Sequence, residues 1–134
     1  MPKSAWEKMR EDKSPKVVVL EKDFADMKKG QRMFVGTPKI VDAYIKKIPH
    51  SEYRNVIRMR REMARKEKCD VMCPVSTAIF IRLAAQAAIE EMEQGKSVDE
   101  VTPFWRLLTA KDKITKRLTI DPEWVELQRA QEQS

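Results

Sequence analysis

One long, almost uninterrupted apolar stretch constrains this chain more than any other feature. Residues 73 to 95 are predicted to form one helix of about five to six turns, roughly 30 Å long. Pro74 suits the first helical position, and Gly95 suits the left-handed residue that ends a helix. Residues 78 to 89 contain only two polar side chains. Because a helix that is apolar nearly all round is buried on several sides, the other elements are expected to pack around it. The glutamates of its last turns and the short apolar run argue against a membrane span.

The length and the charge of the chain limit the kinds of protein that it could be. The chain has 134 residues, with 27 Lys and Arg against 21 Asp and Glu, a net charge of +6. This length predicts one domain with a real core. The positive balance favours a polyanionic partner, although many proteins with such a balance bind nothing acidic. The charged N-terminus lacks the apolar centre of a signal peptide, so a cytoplasmic protein is expected, with Cys69 and Cys73 reduced.

Residues 1 to 36 are predicted to be a partly ordered N-terminal extension, and residues 37 to 134 the main domain. Within the extension, residues 5 to 10 are predicted to form a short helix because Ser4 and Glu7 make a capping box. The β-branched run at residues 17 to 20 is typical of a strand. Residues 32 to 35 are interpreted as a further strand or an extended arm.

Two amphipathic helices are predicted before the long one. Thr37 and Pro38 are typical of a helix start, and Pro49 ends the apolar pattern that follows them. Asn55 is predicted to cap the next helix, whose outer face is basic. That face would either contact phosphates or be only a solvated surface; its arginines are Arg58, Arg61 and Arg65.

The segment after Gly95 is predicted to form a β-hairpin. Residues 101 to 108 and 114 to 118 are apolar runs separated by a turn that carries Lys111 and Lys113. Three helices followed by a basic hairpin is the order of a winged helix-turn-helix domain. The expected fold is therefore mainly α with a small β-hairpin, although helical bundles share the early pattern.

Several motifs resemble one family of DNA-repair proteins. The segment P-F-W-R-L-L at residues 103 to 108 resembles the P-C-H-R-V-[VI] signature of the methylated-DNA–cysteine methyltransferases. It resembles still more the P-W-H-R-V form of alkyltransferase-like proteins, which lack the acceptor cysteine. Residues 48 to 52 are similar to the family's I/V-P-x-G-x turn, and residues 124 to 132 to its closing Q-R-x-x-L-x-x-E helix. The likeness covers residues 37 to 134 and points to a divergent branch.

The resemblance implies DNA binding without the family's chemistry. In that family a recognition helix enters the minor groove, and an alkylated guanine is flipped into a pocket beside the cysteine. Here Phe104 stands at the cysteine position and Trp105 at that of the activating histidine. Alkyl transfer requires an activated thiolate, which a phenyl ring does not provide. Phe104 would therefore either face the base pocket or fill the core.

The leading hypothesis is a non-enzymatic alkyltransferase-like protein that binds double-stranded DNA and recognises alkylated or distorted duplex. A winged-helix interaction or regulatory protein without DNA binding, and a transferase that uses Cys73, are the alternatives. No cofactor is expected, and Cys69 and Cys73 lack the further ligands of a metal site. The predicted DNA-binding residues are Arg58, Arg61, Arg65, Ser76, Thr77, Arg82, Lys111 and Lys113. The predicted base-pocket residues are Phe104, Trp105 and Arg106.

Overall fold

The long predicted helix is present and its bounds agree with the sequence signals. In the computed structural model, which describes residues 3 to 133, it runs over Pro74–Glu93. Pro74 occupies its first turn. Gly95 follows the helix at φ +108°, and the next amide, that of Lys96, donates to the Glu91 carbonyl at 3.0 Å. This arrangement satisfies carbonyls that the end of the helix would otherwise leave unpaired.

About half of the described residues are helical, and the rest include a small sheet. The prediction of a mainly α protein with a small β portion is therefore confirmed. The α-helices are α1 Ala5–Met9, α2 Pro38–Lys46, α3 Val56–Lys66, α4 Pro74–Glu93 and α5 Pro122–Glu132. The strands are β1 Lys16–Val19, β2 Arg32–Val35 and β3 Val71–Met72. Short 3-10 turns occupy Val98–Glu100, Phe104–Arg106 and Thr115–Arg117. No helix within residues 3 to 133 is long and apolar enough to cross a membrane.

The sheet joins the N-terminal segment to the start of α4. Its order is β1-β2-β3, with β1 antiparallel and β3 parallel to β2. Phe34 of β2 lies opposite Met72, two residues before α4, and its side chain is buried in the same core cluster as Ile81 and Phe104. The core therefore continues across residue 36, where the sequence analysis placed a domain boundary.

Helix α1 is also attached to α4. The Glu90 carboxylate accepts hydrogen bonds from the backbone amides of Trp6 at 2.9 Å and Ala5 at 3.3 Å. These amides belong to the first turn of α1, where no intrahelical acceptor exists. A side chain of α4 thus supplies the acceptor that the short helix lacks. The outermost residues of the two predicted domains, 1, 2 and 134, lie outside the described part.

The predicted β-hairpin is wrong. Residues 104 to 106 and 115 to 117 form 3-10 turns, and within residues 3 to 133 neither apolar run is part of a strand. Phe104, Trp105, Leu107 and Leu108 are all at most 2% exposed. A hairpin strand would point alternate side chains to opposite faces and leave some of them in water. The tight turn that is observed buries all four side chains, and it is closed by the Leu107 and Leu108 amides, which donate to the Phe104 carbonyl. The pattern of a short apolar run does not distinguish a strand from a buried turn.

Candidate nucleic-acid interface

The outer face of α3 presents arginines to solvent, as predicted. The Asn55 side chain caps the helix, because its oxygen accepts a hydrogen bond from the Arg58 amide at 2.8 Å. On the opposite face of the helix, the side chains of Met59 and Met63 are buried. The Arg58 guanidinium donates to Glu62 at 2.6 Å, so part of its charge is compensated. The side chains of Arg61 and Arg65 are exposed and form no ion pair or hydrogen bond within residues 3 to 133. These two guanidiniums are therefore free to bind an external anion.

The three predicted contact residues on α4 differ in accessibility. Thr77 is fully buried, and its hydroxyl donates to the Cys73 carbonyl one turn earlier. Its side chain is therefore not at the surface, because it supports the first turn of the helix. Ser76 is half-buried. Arg82 is half-buried and has no ion-pair partner in the described part of the chain, while Glu100 caps the turn at Ser97. Arg82 and Glu100 therefore form no ion pair with each other.

Arg82 shares its face of α4 with exposed apolar side chains. Val75 and Ile79 precede it at helical spacing and are 55% and 44% exposed. Gln86, one turn further on, is engaged: its amide donates to the Thr119 hydroxyl at 2.6 Å, and its carbonyl oxygen accepts the Thr119 amide at 3.0 Å. The open part of this face therefore consists of two apolar side chains and one arginine.

The loop after residue 108 takes the place of the predicted wing. Asp112 organises its first turn by accepting the Thr109 amide at 2.7 Å, and the flanking Lys111 and Lys113 are exposed. Thr109 and Asp112 line a cavity of about 460 Å³ together with Arg58 of α3. The lysine-bearing turn therefore lies at the N-terminal end of the basic helix.

Two cations near α4 were not among the predicted site residues. Lys116 and Arg117 are exposed on the 3-10 turn that precedes Thr119, and Thr119 is bonded to Gln86 of α4. Lys116 and Arg117 belong to a run that was predicted to be a strand. The sequence therefore did not indicate that the hydrogen bonds between Thr119 and Gln86 would hold these two residues near α4.

Phe104 and Trp105 are core residues, although Trp105 and Arg106 also line a cavity of about 290 Å³. Phe104 is 0% and Trp105 1% exposed. The ring of Phe104 stacks on Trp124 with centroids 5.8 Å apart, and Trp105 meets both rings edge-on at 5.3 and 5.6 Å. Such contacts are favourable for aromatic groups beyond simple burial. Of the two roles considered for Phe104, the structure therefore shows the core role.

Arg106, the third predicted pocket residue, belongs to a buried polar cluster around Glu132. Its guanidinium donates to the Glu132 carboxylate, with Nη2 at 2.9 Å from Oε2, and to the Ile48 carbonyl at 2.8 Å. Trp105 Nε1 donates to the same carboxylate at 2.7 Å, and the Ser51 amide donates at 3.2 Å. Burial by itself would raise the pKa of Glu132, but the donors from Arg106, Trp105 and Ser51 outweigh it and hold that pKa below its usual value.

Arg129 joins the same cluster from the preceding turn of α5. It donates to the backbone carbonyls of Trp105 at 2.8 Å and Leu108 at 3.2 Å, and its guanidinium lies 4.0 Å from the centre of the Tyr53 ring. Sequence reasoning did not single out Glu132 as a central residue. With Gln128 and Arg129 at the first two positions of the Q-R-x-x-L-x-x-E pattern, Glu132 falls at the leucine position, so the pattern did not mark it. Burial of a carboxylate is not visible in a single sequence.

The two cysteines offer little access for chemistry. Cys73 is 9% exposed at the N-terminal end of α4, and Cys69 is half-buried with its thiol 3.5 Å from the Glu67 carbonyl. Within residues 3 to 133 there is no cluster of three or more His, Cys, Asp or Glu side chains that could hold a metal ion.

Comparison of the chain with family models, curated proteins and solved structures found no match.

Proposed function

We propose that this chain is a non-enzymatic DNA-binding protein of the alkyltransferase-like type, which recognises alkylated or distorted duplex DNA. The family assignment rests on the quoted motifs. The contact with DNA rests on the exposed cations of α3 and of the loop after residue 108, and on the half-buried Arg82 of α4.

The observation that best supports the proposal is the convergence of the motifs on Glu132. Residues 48 to 52, 103 to 108 and 124 to 132 are far apart in the sequence. All three nevertheless meet at one carboxylate, through the Ser51 amide, the Trp105 indole and the Arg106 guanidinium. These segments follow the same order along the chain as the family's motifs, and they also form one buried cluster. Both features are expected if the family's scaffold is retained.

The chemistry of the cluster favours binding over catalysis. Phe104 has no group that could accept an alkyl chain, and the groups bonded to the Glu132 carboxylate, from Trp105, Arg106 and Ser51, are donors and not bases. Cys73, the nucleophile of the alternative hypothesis, is buried at the start of α4. A scaffold that keeps its form without a nucleophile is suited to recognition.

In this proposal α3 and α4 act as a helix-turn-helix pair, and the loop with Lys111 and Lys113 replaces the wing. Helix α3 is bonded to strand β3, which leads into α4: the Arg60 guanidinium of α3 donates to the Met72 carbonyl of β3 at 2.8 and 3.1 Å. Arg61, Arg65 and Arg82 form no ion pair or hydrogen bond through their side chains within residues 3 to 133 and would contact phosphates. Phosphate contacts release counterions, so binding should be mostly electrostatic and only weakly sequence-selective.

Titration of duplexes with and without an alkylated guanine, at two salt concentrations, tests the proposal. With roughly four to six phosphate contacts, affinity should fall at least tenfold when salt rises about fourfold. Arg82→Ala should weaken binding without loss of stability, because the Arg82 side chain has no ion-pair partner in the part of the chain that the structure describes. Lys39→Ala is the matched control, since the Lys39 ammonium pairs with Asp12 at 2.8 Å.

Each result bears on one part of the proposal. Absence of binding even at low salt would overturn DNA binding and favour an interaction protein. Equal weak binding to both duplexes would remove lesion recognition. Incubation with DNA that carries a labelled alkyl group should leave the protein unlabelled, whereas label on Cys73 would establish the transferase alternative.

A further inference from the structure

A cavity between α2 and α3 lies apart from the residues assigned to DNA. It has a volume of about 390 Å³, within the range of small-molecule sites. Its apolar wall is formed by four side chains, Ile40, Ala43, Ile48 and Met63. None of these belongs to the proposed DNA interface. The cavity therefore needs a separate explanation.

The rim of the cavity is cationic. Lys47, Arg54 and Lys66 line it, and neither lysine forms an ion pair within residues 3 to 133. The Arg54 side chain is only 19% exposed. It donates to the Tyr53 carbonyl at 3.1 Å and to Glu52 at 3.2 Å, which holds the guanidinium in place. Two ammonium groups without an ion pair among the described residues, and one guanidinium paired with Glu52, thus surround an apolar wall.

The single carboxylate in the lining does not cancel this charge. Glu62 accepts from Arg58 at 2.6 Å and from the Tyr44 hydroxyl at 3.2 Å, so its charge is already compensated from outside the rim. Burial, together with the nearby Glu62 carboxylate, raises the pKa of Tyr44 to about 12. Tyr44 is therefore neutral at physiological pH and adds no negative charge to the cavity.

We propose that this cavity binds a small organic acid, with its apolar body against Ile40, Ile48 and Met63 and its carboxylate at Lys47, Arg54 and Lys66. An apolar wall with a few convergent polar groups is the usual composition of a small-ligand site. Charge-assisted hydrogen bonds to a carboxylate are the strong ones in such a site. The site does not depend on DNA binding, and it would exist if the DNA proposal failed.

Amide chemical shifts of the ¹⁵N-labelled protein, recorded during titration with sodium phenylacetate, benzoate and octanoate, test the site. At least one acid should shift the amides of Ala43, Lys47 and Met63. The matching neutral amide of that acid should bind at least tenfold more weakly, because it lacks the charge that the rim recognises. The double variant Lys47→Gln/Lys66→Gln should show a similar loss. Lys46→Gln is the control, because the Lys46 ammonium pairs with Asp42 at 3.1 Å and does not line the cavity.

Three results would overturn the proposal. One is the absence of shifts at the cavity up to about 10 mM of all three acids, a concentration about tenfold above a Kd of about 1 mM. Another is equal binding of acids and amides, which would show that the cations are not used. The third is that duplex DNA, and none of the acids, shifts the cavity amides, which would assign Lys47 and Lys66 to phosphate contacts.

Discussion

Replacing Glu132 with alanine should lower the free energy of unfolding by about 3–5 kcal/mol, the range for removing one partner of a buried ion pair. The carboxylate is 5% exposed and accepts from Arg106, Trp105 and Ser51. Its loss leaves the Trp105 indole N–H without its acceptor and the Arg106 guanidinium with only the Ile48 carbonyl, and a buried donor without a partner is destabilising. For a chain of 134 residues, about 2.1 cal/mol/K of unfolding entropy per residue makes 1 kcal/mol worth roughly 3.5 °C in Tm. The expected shift in Tm is therefore roughly 10–18 °C.

Thermal and urea unfolding followed by circular dichroism measure this change. Glu132→Gln is a second, milder variant, because the amide oxygen still accepts from one donor while the charge is lost. Gln131→Ala is the matched control: Gln131 lies in the same turn of α5, but its side chain is exposed. A Glu132→Ala protein whose Tm lies within about 3 °C of the parent would refute the reasoning, since that is less than 1 kcal/mol. It would show that the cluster relaxes without penalty or that water reaches the freed donors.

Three further predictions follow from single features of the structure. Because donors hold the folded pKa of Glu132 below 4.5, its contribution to stability is present above that pH and is lost as the pH falls through the folded value. The free energy of unfolding of the Glu132→Gln variant should therefore fall less steeply with decreasing pH than that of the parent. Parallel plots of unfolding free energy against pH would contradict this. Arg61→Gln/Arg65→Gln should reduce the slope of log affinity for DNA against log salt by about 1.8, if each guanidinium contacts one phosphate; an unchanged slope would remove both from the interface. Gly95→Ala should lower stability by about 1–2 kcal/mol, because an alanine at positive φ is strained even with open space around it. An unchanged urea midpoint would contradict that strain.

The elements with strong local signals could be predicted from the sequence. Pro74 and Gly95 bracket α4, and Thr37 and Asn55 cap α2 and α3 by accepting the Ile40 and Arg58 amides. These signals act within one helical turn, so a single sequence contains all the information they need. The basic outer face of α3 followed from the same helical period.

The segment from 101 to 118 could not be predicted in this way. Its apolar runs are compatible with a strand or with a buried turn, and the choice depends on what packs against them. The Phe104–Arg106 turn forms because Trp124 stacks on Phe104, and because Glu132 and Arg129 supply partners to Trp105 and its neighbours. Those partners lie about twenty or more residues away in the chain, so local propensity carries no information about them.

The long central helix, the caps of its neighbours and the positive charge on the face of α3 follow from local sequence, because each depends on residues within a turn or two. Three other features depend on how the chain packs: Phe104 is a core residue, Thr77 is buried, and Glu132 joins three distant segments. These outcomes depend on burial and on long-range hydrogen bonds, and a buried polar group is stable only where the fold brings its partners to it.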